Sequence, residues 1–225
     1  MDRWRKRKER KEAESAERKH QTELANWQDQ HDHVDQLIYL AEHLEEVQEE
    51  AAEGGIHIRL KKGENVLAIL QNGGLVEPRV TGSHFEGGSQ GVSIRVMKGV
   101  NYRVGQFQGT FVRGDEEQTV IDTGGDIYIT DQRIQYSSMN RNREWAWSKL
   151  VDIRHDVDAT YMGVTNRQKT SGILYGIEAA SPIQDRITLA MAIYDGEVEH
   201  LVSELKDQLS ELGRSKPSAP PPLPA

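Results

Sequence analysis

The chain reads as an α+β protein: a long charged helix, then an antiparallel sheet domain, then a closing amphipathic helix. Three observations predict this. Residues Asp2 to Glu53 contain neither Gly nor Pro and are mostly strong helix formers. From Ile56 to about Ala192 the texture changes to short β-rich runs separated by glycine-bearing turns. After Asp195-Gly196, apolar residues return at three- and four-residue steps.

The first segment, residues 1–53, is expected to be one helix ended by Gly54-Gly55. Its apolar positions run from Leu24, Trp27, Val34 and Ile38 into a stripe of Leu37, Leu40, Leu44 and Val47. A stripe of about four heptads fits either a coiled-coil seam through which two copies self-associate or a helix lying on the following domain. Ahead of it, Arg3, Arg5, Lys6, Arg7, Lys8, Arg10 and Lys11 form a basic arm, although the whole chain carries a net charge of -8. Such an arm suits an anionic membrane surface, nucleic acid or a solubilising helix end.

The second segment, residues 56–213, is expected to be the sheet domain. Val92/Ile94/Val96, Phe107/Gly109/Phe111 and Ile127/Ile129 alternate as half-buried strands require. Ile134/Tyr136, Trp145/Trp147, Val151/Ile153 and Ile187/Leu189/Met191 continue the pattern. Asn72-Gly73, Gly124-Gly125, Asn140 to Asn142 and Asn166 read as turns. Val198, Leu201, Val202, Leu205, Leu209 and Leu212 form the face of the closing helix, with Gly213 at its end. The last segment, 214–225, is proline-rich and is expected to be extended or disordered.

Three stretches carry a family resemblance. Leu60-Lys-Lys-Gly63-Glu64-Asn-Val66-Leu67 resembles the opening strand of GRAM domains. Gly125-Asp-Ile127-Tyr128-Ile129-Thr130-Asp-Gln-Arg133-Ile134-Gln-Tyr136 is similar to their central hairpin. Glu144-Trp145-Ala-Trp147-Ser-Lys149-Leu150-Val-Asp-Ile153 resembles the strands that close the module. The resemblance implies a pleckstrin-homology/GRAM-like antiparallel β-sandwich or barrel capped by a C-terminal helix. It covers 60–212 loosely and 122–153 well. The stretch 87–114 is longer than a minimal module needs, and resembles versions seen in uncharacterised proteins of actinobacteria and their phages. In such a fold Arg133, Arg141, Arg143, Arg154, Arg167 and Lys169 fall in or beside hairpin loops, where a ligand surface is often presented, and could meet a phosphoryl headgroup.

Catalytic signals are thin. Gly87-Gly88-Ser89-Gln90-Gly91 matches a nucleophile-elbow pattern, but a strand follows it where a helix is required, so a serine hydrolase is the third reading only. His31 and Asp35 share one helix face without a third convergent ligand, and no metal or cofactor is expected. There is no cysteine, which favours the cytosol, and no apolar run approaches a membrane span. The composition, 36% hydrophobic and 28% charged, is too lean for every residue to be packed. The expected function is a non-catalytic intracellular binding or scaffolding protein with an unknown protein partner or a lipid headgroup as ligand. The alternative is a peripheral anionic-membrane or nucleic-acid binder led by the basic arm.

Overall fold

The computed structural model describes residues 2–78, 92–97, 100–104, 118–165, 167 and 169–219. Helix α1 (Asp2–Glu42) and helix α2 (Leu44–Glu53) take the place of the expected single helix. They part at His43, whose backbone leaves helical geometry at φ -119°, ψ 47° while its Nδ1–H donates to the Tyr39 carbonyl at 2.8 Å. The stripe on these helices is spent within the chain: Val34, Leu37, Leu40 and Val47 are buried and Leu44 is half-buried in the common core.

The sheet strands are β1 (Val66–Pro78), β4 (Gln118–Thr130), β5 (Arg133–Ser137), β6 (Asn142–Ala146), β7 (Leu150–His155), β8 (Ala159–Val164) and β9 (Ser171–Leu174). They form a seven-stranded sheet in the order β6-β5-β4-β1-β9-β8-β7, and every pairing is antiparallel. Strands β2 (Val92–Met97) and β3 (Val100–Val104) make a separate hairpin that lies against the C-terminal helices.

The sheet must curl. Laid flat at about 4.8 Å per strand, β6 and β7 would stand about 29 Å apart. Yet only the short 3₁₀ turn Trp147–Lys149 joins them, a connection reaching about 14 Å at most. No ladder pairs β6 with β7, so of the expected sandwich or barrel the closed barrel is not formed. The concave face is filled by Ile127, Ile129, Ile134, Tyr136, Trp145 and Ile173. Across it the Trp145 indole N–H donates to Ser171 Oγ at 3.2 Å.

Two pairs expected as turns, Asn72-Gly73 and Gly124-Gly125, lie inside strands instead. Gly73 opposes Gly125 in the β1–β4 ladder, where the register shifts. A Cβ on Gly73 would lie 2.3 Å from Ile127 Cδ1, and one on Gly125 2.5 Å from the Tyr136 ring. The glycines therefore admit large side chains to the concave side and let two long strands bend. Asp131 and Gln132 join β4 to β5, the expected turn at Asn140 joins β5 to β6, and the one expected at Asn166 lies outside the described residues.

A larger correction concerns Ile187, Leu189 and Met191, expected in a strand. They belong to helix α3 (Ala180–Asp195), in which Ile187 to Met191 are buried without a break. A helix buried on all sides has no polar face, so its period-3.6 signal vanishes and a period-two alternation passes for a strand. Helix α4 (Val198–Arg214) follows as expected, making two C-terminal helices in place of the single cap. Helices α1 and α4 pack together: Lys206 pairs with Glu42 at 2.6 Å and the Trp27 indole N–H donates to the Leu212 carbonyl at 2.8 Å. His33 on α1 reaches the buried Asp185 on α3 at 2.9 Å. Among the described residues no helix is long and apolar enough to cross a membrane.

Candidate ligand-binding cleft

After α2, Gly55 turns the chain at φ 79° and residues 56–65 cross towards β1. His57, Arg59 and Lys61 are exposed, alternating with half-buried Ile58 and Leu60. Lys61-Lys-Gly63-Glu64 then makes a tight turn, with Gly63 at φ 70° and the Glu64 N–H donating to the Lys61 carbonyl at 3.2 Å.

One buried carboxylate fixes this turn. Glu64, 5% exposed, accepts the Lys61 N–H at 2.6 Å, the Thr130 hydroxyl at 2.9 Å and the Arg133 Nε–H at 2.7 Å. Arg133 also donates through Nη2 to the Arg59 carbonyl at 2.8 Å and through Nη1 to Glu144. Burial drives the Glu64 carboxyl upward, but the hydrogen bonds from Arg133, Lys61 and Thr130 outweigh it and hold it below the usual carboxylate range. For Arg133, burial acts downward and the two carboxylates prevail, leaving its pKa raised. Asn65 clasps the neighbouring turn, its N–H and Nδ2 donating to the two Asp131 carboxylate oxygens at 3.0 and 2.9 Å.

Segment 57–62 and the convex face of β5–β6 bound a cavity of about 620 Å³. The segment supplies His57, Arg59, Lys61 and Lys62; the sheet supplies Arg133, Gln135, Ser137, Asn142 and Glu144. Lys61 Nζ stands 3.7 Å from Glu144, whose carboxyl is also held low: burial opposes, while Arg133 and Lys61 outweigh it. Gln135 is 6% exposed; its Nε2 donates to Asn142 Oδ1 at 3.1 Å, and its Oε1 has no partner among the described residues. Cations and neutral amides in this arrangement can hold an anionic ligand by charge and position it by hydrogen bonds.

Of the residues expected at a ligand surface, Arg133 is a buried structural anchor whose donors are committed to its own chain. Arg143 lies 3.6 Å from Glu77, and Arg167 is near enough to Arg143 and Glu144 to feel both; burial first and then Arg143 lower its pKa. Arg141 is exposed on the β5–β6 turn near Asp122. Arg154 sits on β7 with its guanidinium 5.0 Å from the Tyr161 ring centroid, and Lys169 is exposed in the loop before β9. The basic arm occupies the first turns of α1, where Trp4 is 74% exposed. Ser89 and the expected Phe107 strand lie outside the described residues. His31 packs beside Trp27, and among the described residues no group of three or more His, Asp or Glu side chains could hold a metal ion.

Sequence reasoning missed Glu64, Glu144, Gln135 and the 57–62 strip as one site. The only local signal was Lys61-Lys-Gly63-Glu64, because Glu64 and Arg133 meet across 69 residues of chain. No protein-family model matches the chain, and a search of curated proteins finds no match either.

Proposed function

We propose that the chain is a non-catalytic intracellular binding or scaffolding protein whose sheet domain, of the pleckstrin-homology/GRAM type, receives its partner in the 57–62 cleft. The domain type is supported by the antiparallel meander β4-β5-β6, the return of β9 beside β1, and the helix that follows it. The observation that carries the functional reading is a cationic strip on an acidic protein. Arg59, Lys61 and Lys62 line the cleft beside Glu144, with Arg133 offset by the buried Glu64, in a chain of net charge -8. The buried Glu64–Arg133 pair holds that strip in place before any ligand arrives, and preorganisation of this kind lowers the cost of binding.

Capture from native lysate tests the reading. A partner retained by the wild-type chain should be lost from Arg59→Glu with Lys62→Glu and kept by a variant with the basic arm neutralised. Equal retention by the cleft variant would overturn it. One observation favours a second reading, a peripheral membrane or nucleic-acid binder: the exposed Trp4 within the basic arm. That binder would lose affinity for anionic vesicles or DNA steeply with salt and on removal of residues 3–11.

A further inference from the structure

Resting on the binding-module reading above and narrowing it to one class of partner, we propose that the cleft takes an extended acidic peptide. Three features of the cleft converge on that chemistry.

The first is spacing. His57, Arg59 and Lys61 are exposed at alternate positions, and half-buried Ile58 and Leu60 between them also line the cleft. An extended chain advances about 3.3 Å per residue, so alternate side chains recur about every 6.6 Å. A partner strand with carboxylates at every second residue presents negative charge along one face, which several cations of the strip can meet together. A single compact anion would use only part of the strip.

The second is the floor. Gln135 lines the cleft, is 6% exposed, and has a buried Oε1 acceptor with no hydrogen-bond partner among the described residues. A peptide brings backbone N–H donors to such an acceptor, whereas a fully ionised phosphate brings acceptors only.

The third is electrostatic contrast. Arg133 is spent on Glu64, Glu144 and the Arg59 carbonyl, so it fixes the backbone of the strip and leaves the Arg59 side chain exposed. On a chain of net charge -8, this strip is a local concentration of positive charge that an acidic segment can meet at short range.

The test uses the full chain and fluorescence anisotropy with a short labelled peptide alternating Glu and Ser, and the same peptide with Gln for Glu. Inorganic phosphate and phosphatidylserine vesicles form parallel arms. The Glu peptide should bind and the Gln peptide should not. Arg59→Glu with Lys62→Glu should weaken binding about tenfold or more. Gln135→Met should weaken it about fivefold without changing the salt dependence. Both altered cations are exposed, so an unchanged circular dichroism spectrum will show that the variants fold. Undiminished affinity in the charge-reversed variant overturns the inference. So does a failure of the peptide to bind while phosphate or vesicles bind and are lost with the same substitutions, an outcome that leaves the binding-module reading standing. Binding by none of these probes also overturns it, and the wider reading then falls only with the lysate capture.

Discussion

Replacing Glu64 by Ala probes the anchor of the cleft. The carboxylate is buried and accepts from Lys61, Thr130 and Arg133, so its loss strands three donors around a guanidinium that is itself 6% exposed. Breaking a buried ion pair by removing one member costs about 3 to 5 kcal/mol. Arg133 keeps Glu144 and the Arg59 carbonyl, and the Thr130 hydroxyl has the Arg133 carbonyl at 2.9 Å, which places the loss near the lower end. About 3 kcal/mol in a domain of this size lowers Tm by about 6 to 12 °C. The assay is urea and thermal unfolding followed by circular dichroism, extended to Arg133→Met and to the double variant. Removing both members should recover much of the loss, because no unpaired charge then remains buried. Acid should act in the same direction. The Glu64 carboxyl is held below its unfolded value, so its contribution is present above the unfolded pKa and is lost as pH falls through the folded one. A Glu64→Ala loss under about 1 kcal/mol, or strictly additive single effects, would refute the anchoring role.

Three further outcomes follow from other parts of the core. His155 is half-buried on β7 with Nδ1 2.8 Å from Thr160 Oγ1, and desolvation of its ring pushes its pKa down to about 4. Its neutral form contributes stability that is complete above the unfolded value near 6.5 and is lost as pH falls to about 4, a swing of about 3 kcal/mol; an NMR titration placing the ring near its ordinary pKa would refute this. Gly172→Ala would bring a Cβ within 2.1 Å of the Thr160 carbonyl oxygen, a backbone atom that cannot swing away, and should destabilise by about 1 to 3 kcal/mol or more in a denaturant titration. Leu37→Ala, at a position fully buried by its own chain, should cost about 2 to 5 kcal/mol independently of protein concentration; a concentration-dependent loss would place Leu37 in an intermolecular seam.

The α+β class is legible because its signals are local. Strong helix formers without a break specify α1 and α2, and alternating parity specifies β5 around Ile134 and Tyr136. Trp145 and Trp147 are large apolar residues in a β-rich run and are buried, although Trp147 lies in the turn after β6. Where the reading fails, the cause is tertiary. Helix α3 loses its amphipathic signature because neighbours surround it, and Gly73 and Gly125 look like turn residues when the demand on them is room for Ile127 and Tyr136. The site was less legible than the fold. The arginine set included Arg133 for its hairpin position, but only the structure shows that Glu64 and Glu144 consume its donors. The exposed cations at Arg59 to Lys62 form a site only because that pair pins their backbone over β5 and β6.

Backbone amide shifts recorded while a short acidic peptide is titrated into the full chain test the central claim most directly. Changes should concentrate on residues 57–62 and on Gln135, Ser137 and Asn142, and should fade as salt is raised. Changes confined to the basic arm of α1, or none in the cleft at saturating peptide, would contradict it.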